Sequence, residues 1–337
     1  MKYIQLTESI LLISILLLNE VECQLSAGQV IEQALVKKLF TNYSRTIRPN
    51  DQVSVTVGLQ LKQIISLAEK TQILTTSIYV EQWWNDERLS WIPNSYNNIT
   101  ALQLSLKNIW LPDTNVVNSA SSDGYFTMNS DFGFASVLYT GDIYYVSPAI
   151  AMPTRCSLEV QYFPFDSHTC SLIMTSWAYG DKRIFYSVND SYVDVSDFTT
   201  NGVWTLTNSD VTSIIKSDKS SGFEDNSDTY IYLNLYIQRN PLYYIMNSIF
   251  PCFILNCVTL IGYFMPFPMG MILASGGMMT FAVYNVAVSN FIPIQSDFLP
   301  DVSWYFITSI TYNLVSIVWY VYMNQCKTKN EIPKCLV

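Results

Sequence analysis

From residue 24 to about 240, apolar and polar positions alternate, with β-branched and aromatic side chains on the apolar set, as in Val53-Ser-Val-Thr-Val57 and Tyr230-Ile-Tyr-Leu-Asn-Leu-Tyr-Ile237. A period of two sends successive side chains to opposite faces of a strand, so these runs predict strands with one buried face. Turn signals such as Ser122-Asp-Gly124 and Asn201-Gly202 separate them, and the whole reads as an antiparallel β-sandwich. Ahead of it, within residues 26–40, Val30, Ala34, Leu35 and Leu39 recur at helical spacing and predict one short helix.

Beyond residue 240 the polar half of the pattern vanishes. No Asp, Glu, Lys or Arg occurs between Arg239 and Asp297. Three uncharged segments, about 242–265, 269–294 and 302–323, are each long enough to cross roughly 30 Å of hydrocarbon as a helix. The expected organisation is an extracellular β-domain over 24–240, a helical transmembrane domain over 241–325 and a cytoplasmic tail over 326–337. Lys327, Lys329 and Lys334 then follow the last span on the inner side, while Asp297 and Asp301 lie in an outer loop, in keeping with the positive-inside rule.

Residues 1–23 read as a signal peptide, with Lys2 before an apolar Ile10 to Leu18; the competing reading is a signal anchor. Export makes Asn42, Asn98 and Asn189 candidate glycosylation sites, since each heads an Asn-x-Ser/Thr sequon ahead of the first span. The net charge of −9 comes mainly from the β-domain, which lacks a basic nucleic-acid footprint. That acidity suits either a soluble exterior or a vestibule that attracts cations.

Seven cysteines sort by location: Cys23 in the leader, Cys156 and Cys170 outside, Cys252 and Cys257 in the first span, and Cys326 and Cys335 in the tail. Only Cys156 and Cys170 share an oxidising compartment, which predicts a disulfide between them. A single histidine, His168, supplies neither a metal-ligand cluster nor a nucleophile–base pair. No enzyme, metal or cofactor is expected.

Cys156 and Cys170 enclose thirteen residues with Phe163-Pro-Phe-Asp166 near the centre. This segment resembles the signature of Cys-loop ligand-gated ion channels. Trp84-x-Asp86-x-x-Leu89-x-Trp91, Trp110-x-Pro112-Asp113, Thr175-Ser-Trp177-x-Tyr179, Gly202-x-Trp204 and Arg239-x-Pro241-Leu-Tyr-Tyr244 follow in that family's order. The resemblance covers roughly residues 25–325. It is nearest to nicotinic acetylcholine receptor subunits, from Leu59-x-Leu-x-Gln63 through Glu69-Lys70 to Ile73-Leu-Thr-Thr76.

The resemblance implies an all-β, immunoglobulin-like extracellular sandwich with an N-terminal helix, followed by membrane helices. It implies a pentamer with other Cys-loop subunits, a small cationic neurotransmitter such as acetylcholine as ligand, and a lipid-embedded plasma-membrane location with the N-terminus outside, at postsynaptic sites. A cationic ligand is favoured over aromatic rings. Trp177 matches the central ring of the principal face, Tyr79 and Tyr145 match rings of the complementary face, and Tyr230 is an aromatic of the last extracellular hairpin. Phe163, Pro164, Phe165 and Asp166 match the loop tip resting on the membrane domain, with Glu69 and Arg239 as charged coupling partners.

Departures shape the expected role. Val117 stands where a principal-face tyrosine is usual, and residues 207–230 lack the adjacent cysteine pair of alpha-type subunits. The chain is thus expected to be a divergent non-alpha subunit. On the second span, Ile272, Gly276, Met279, Val283, Val286 and Asn290 fall on the presumed pore face, with Met279 at the gate position and no charge. Gly276-Gly277 predicts a locally weak helix. The fourth span of the family is absent from this sequence. The expected function is a subunit of a neurotransmitter-gated channel; the alternative is a non-conducting regulatory or assembly subunit.

Overall fold

The computed structural model describes residues 26–121, 126–127, 133–217, 227–289 and 299–328. The expected leader, the Ser122-Asp-Gly124 turn, Asn290, Asp297, Lys329, Lys334 and Cys335 lie outside these residues. A helix, α1 (Ala27–Leu39), precedes β1 (Val53–Ala68), β2 (Ile73–Asn85), β3 (Ala101–Ser105), β4 (Thr114–Val116), β5 (Phe126–Thr127) and β6 (Phe134–Leu138). Then come β7 (Asp142–Arg155), β8 (Ser167–Ser176), β9 (Ile184–Val188), β10 (Trp204–Ser217) and β11 (Ser227–Arg239). Three helices follow: α2 (Leu242–Gly262), α3 (Phe267–Ser289) and α4 (Asp301–Thr328).

The described residues form two compact units. The first holds residues 26–51, 84–111 and 133–144. Its helix α1 starts on a reciprocal cap, in which Ser26 Oγ accepts from the Gln29 backbone while the Gln29 side chain accepts from the Ser26 N–H. Strand β6 pairs antiparallel with β3 and with the first residues of β7. The Trp84-x-Asp86 motif has a structural use here: buried Asp86 accepts from Tyr43 Oη at 2.9 Å and from Arg88 Nε at 2.8 Å, and Trp84 meets Trp110 edge-on.

The second unit carries the two sheets of the sandwich and the three apolar helices. One sheet runs β7-β2-β1-β9; the other has the order β10-β11-β8-β4-β5. Val53, Val55, Val57, Leu59 and Leu61 of β1 are buried in strict alternation, as are Ile231, Leu233, Leu235 and Ile237 of β11. The alternation in sequence therefore becomes the core between the layers. One pairing departs from the antiparallel expectation: β9 runs parallel to β1, Val53 opposite Ile184. A period of two is the same in either direction, so the sequence pattern cannot distinguish them; the crossing of the chain from β8 to the other sheet supplies the connection that a parallel pair needs.

Each apolar helix is long and apolar enough to cross a membrane. Within α2, residues Ile245–Ile249 form a wide π-turn just before Pro251, whose missing N–H cannot continue the α ladder. Helix α2 ends at Gly262, short of the expected 265, because Pro266 and Pro268 restart the chain as α3 two residues earlier than expected. Helix α4 runs on to Thr328 instead of stopping near 323, with no Pro or Gly to end it and with Lys327 in its last turn, where a cation is favourable. Polar pairs tie the helices: Thr259 Oγ1 donates to Asn313 Oδ1 at 2.9 Å and Asn256 Nδ2 to Ser309 Oγ at 3.0 Å.

Candidate functional site

The clearest assembly of polar groups lies where β1 and β11 end and β8 begins, next to the start of α2. On β11 every second residue from Ile231 faces the core, and the same phase carries Arg239 inward as the last of the set, 1% exposed. Its Nε donates to Asp166 Oδ1 at 2.8 Å and its Nη2 to Asp166 Oδ2 at 3.1 Å. Its Nη1 donates to Glu69 Oε1 at 2.8 Å and to Tyr244 Oη at 3.2 Å. Glu69 follows the last residue of β1, Asp166 precedes β8, and Tyr244 lies in the first turn of α2. The guanidinium also rests over Trp204 at 4.2 Å and Phe163 at 4.9 Å.

Burial raises the cost of every charge here, so the pairing decides the protonation. Desolvation alone would push Asp166 up; hydrogen bonds from His168 and Arg239, with their charges, override it and hold the carboxyl at about 2. Desolvation likewise works against the Arg239 cation, and Asp166 and Glu69 more than offset it, so its pKa is raised. His168 Nε2 lies 2.5 Å from Asp166 Oδ2. The sequence offers His168 neither metal partners nor a nucleophile, yet the side chain has a use as the second partner of Asp166; the i, i+2 spacing at a strand start is the signal for it.

The loop containing these residues is closed as expected by a Cys156–Cys170 disulfide. Leu158, Val160 and Phe163 are buried, and Phe163 meets Tyr244 edge-on at 4.9 Å, while Phe165 is exposed and Pro164 follows a cis peptide. At the other end the Asp301 N–H, at the start of α4, donates to the Gln161 carbonyl at 2.9 Å. One loop thus touches both the first and the third apolar helix. A cavity of about 680 Å³ at this junction is lined by Phe163, Pro164 and Phe165 together with Ile249, Val302 and Tyr305.

The expected ligand-site rings divide. Trp177, in the turn after β8, is 73% exposed. Its neighbours are pinned by Asp113, which accepts from Ser176 Oγ at 2.6 Å and from the Ala178 N–H at 2.7 Å. Tyr230 occupies the outer face of β11, flanked by buried Thr229 and Ile231. Tyr79 sits on the outer face of β2, flanked by buried Ile78 and Val80. Tyr145 is different: it is 2% exposed, in phase with buried Ile143 and Ser147, so its side chain belongs to the core and is not gathered with Tyr79. Val117 is exposed just beyond β4.

On α3, Ile272, Met279, Val283 and Val286 are all more than half exposed, and nothing lies within 4 Å of a Cβ built at Gly276. They share one face. The opposite face, Gly270, Ala274, Gly277, Phe281 and Val288, is buried, and the helix runs unbroken through Gly276-Gly277. Gly277 has a packing reason, since a Cβ there would meet Asn313 Oδ1 at 2.7 Å. Asn42, Asn98 and Asn189 are exposed. Among the described residues no group of three His, Cys, Asp or Glu side chains could hold a metal ion.

A family model described as the neurotransmitter-gated ion-channel ligand binding domain matches residues 32–241. The neuronal acetylcholine receptor subunit alpha-2 of Mus musculus is 31% identical over 315 residues, covering 92% of this chain and 60% of that protein. The alpha-4 subunit of Gallus gallus is 31% identical over 300 residues, covering 87% and 47%. The beta-3 subunit of Gallus gallus is 30% identical over 304 residues, covering 88% and 65%. The chain thus spans roughly half to two thirds of the length of these relatives.

Proposed function

The chain belongs to the neurotransmitter-gated ion-channel family, which is not enzymatic, and from that premise we propose that it is a channel subunit lending the complementary side of an agonist site. One observation carries this reading. Tyr79 and Tyr230 lie on the outward faces of opposite sheets of one sandwich, so a single copy cannot bring both rings to one ligand across a core about 10 Å thick. A box made from these rings needs two subunits. Within this chain Val117 and the cysteine-free stretch before Tyr230 impoverish the principal side, which leaves Tyr79 as its stronger contribution. The relatives' names, neuronal acetylcholine receptor subunits alpha-2 and alpha-4, support acetylcholine or a similar small cation as the ligand and assembly with other subunits. Three helices apolar enough to span a membrane support a place in the plasma membrane, with the β-domain outside and a pentamer as the assembly that the resemblance implies.

Agonist binding would reach the membrane helices through the Arg239 assembly, because Asp166 and Phe163 of the disulfide loop and Tyr244 of α2 share one guanidinium. A ligand shifts a closed–open equilibrium only by binding the two forms differently. The exposed, uncharged face of α3 through Gly276, Met279, Val283 and Val286 would line the pore. The same lack of charge favours a second reading, a non-conducting subunit that regulates assembly, since rings of charge usually set ion selectivity.

The test is potency in a receptor co-assembled with an alpha-type subunit. Loss of a desolvated cation–π contact costs about 1 to 2 kcal/mol, so Tyr79→Ala should raise the half-maximal agonist concentration about five- to thirtyfold, and Trp177→Ala in this chain should raise it less. A large shift from Trp177→Ala at normal surface expression, with none from Tyr79→Ala, reverses the assignment.

A further inference from the structure

We infer that Lys62 is a specificity-determining residue whose ammonium, seated on the Tyr79 ring and held by Asp197, competes with the cation that the ring would otherwise receive. The inference rests on the complementary-side reading of Tyr79 and deepens it. The geometry begins in the β1–β2 ladder, where Gln60 pairs with Tyr79 and Leu61 with Ile78. The register then slips between Leu61 and Gln63, and Lys62 is the extra residue. Such a bulge re-aims a side chain. Lys62 Nζ stands 5.2 Å from the Tyr79 ring centroid and 2.6 Å from Asp197 Oδ2.

The tether is built into the fold. The segment that carries Asp197 runs beside β1: the Leu61 N–H donates to the Asp194 carbonyl at 2.9 Å and the Thr199 N–H to the Lys62 carbonyl at 2.8 Å. Asp197 therefore arrives next to Lys62 by backbone pairing. On the other sheet a second ammonium also stands over tyrosine rings, with Lys216 Nζ 5.3 Å from the Tyr230 ring and 4.7 Å from that of Tyr232, whose Oη accepts a hydrogen bond from it. On both outer faces a tyrosine expected to receive a ligand cation carries an ammonium of the chain itself.

The chemical consequence is an exchange instead of a simple capture. A bare quaternary ammonium must displace Lys62 from the ring and overcome its like charge. A cation that also bears a carbonyl, ester or carboxylate oxygen can stay near Lys62 and accept a hydrogen bond from it. This face should therefore discriminate against ligands that offer only a positive charge.

The experiment uses the full chain co-assembled with an alpha-type subunit and tetramethylammonium as probe, with surface labelling in parallel. Lys62→Met should lower the half-maximal concentration about three- to tenfold, with Lys62→Gln behaving alike and Lys62→Arg causing no shift. The gain should vanish in Lys62→Met/Tyr79→Ala and shrink in Lys62→Met/Asp197→Asn, because the freed Asp197 carboxylate supplies part of it. If Lys62→Met and Lys62→Gln leave the curve in place, or move it equally with Tyr79 removed, Lys62 does not act on the ring and the inference is overturned while Tyr79→Ala can still uphold the complementary reading. If Tyr79→Ala has no effect either, that reading fails as well.

Discussion

Replacing Arg239 by glutamine removes a guanidinium that joins segments of the β-domain to α2. The side chain is 1% exposed, makes two hydrogen bonds to Asp166 and one to Glu69, and covers Trp204 and Phe163. Deleting one partner of a buried pair costs about 3–5 kcal/mol, because the carboxylate left behind keeps its desolvation penalty. Lost ring contacts push the cost up, while His168, 2.5 Å from Asp166, offsets part of it by remaining as a partner. A value of about 3 to 5 kcal/mol corresponds to a melting midpoint roughly 6–20 °C lower at about 2–4 °C per kcal/mol. Arg239→Lys should fall between, since an ammonium keeps the charge but not the fork that grips both Asp166 oxygens. The assay is thermal melting of the detergent-solubilised protein, with Arg239→Gln/Asp166→Asn closing a double-mutant cycle. The double variant should lose at least about 1.5 kcal/mol less than the sum of the singles, because it leaves no uncompensated Asp166 charge. An Arg239→Gln protein melting within about 2 °C of the unaltered chain, at normal surface levels, would refute the reasoning.

Asp166 gives a pH signature: its folded pKa of about 2 lies below the unfolded value near 4, so its contribution of roughly 2 to 3 kcal/mol is complete above about pH 5 and is lost as pH falls through about 2. The difference in melting point between the unaltered chain and Asp166→Asn should narrow over that window. Gly277→Ala should impair helix packing and surface expression because its Cβ would sit 2.7 Å from Asn313 Oδ1, whereas Gly276→Ala, with open space around it, should leave expression intact. Removing the Cys156–Cys170 cross-link as a double serine variant should cost about 3 kcal/mol for a loop of this length, read as lower surface expression and an earlier melt. Tyr145→Ala should act as a core truncation costing about 3–5 kcal/mol, lowering expression without moving agonist potency in the molecules that reach the surface.

Much of the fold was legible because its physics is local. The alternation from Val53 to Val57 announced β1, and the charge-free interval after Arg239 announced the apolar helices. The motif Phe163-Pro-Phe-Asp166 pointed to the junction, with Glu69 and Arg239 named as its charged neighbours. What the sequence could not supply was which distant strand ends meet. Glu69 and Arg239 are 170 positions apart, and their contact depends on the stacking of two sheets. Tyr145 shows the limit of matching by motif alone: strand periodicity makes Tyr144 the outward neighbour and sends Tyr145 inward. Lys62 was invisible for the opposite reason, because a bulge breaks the period that sequence reading relies on.

The most direct test of the central claim is the agonist-evoked current from cells expressing this chain together with an alpha-type subunit, measured beside the alpha-type subunit alone. The account predicts a current whose agonist sensitivity differs from that of the alpha-type receptor and moves to higher concentration with Tyr79→Ala in this chain. A surface complex containing both chains that passes no agonist-evoked current, or one whose current is indifferent to Tyr79, would contradict it.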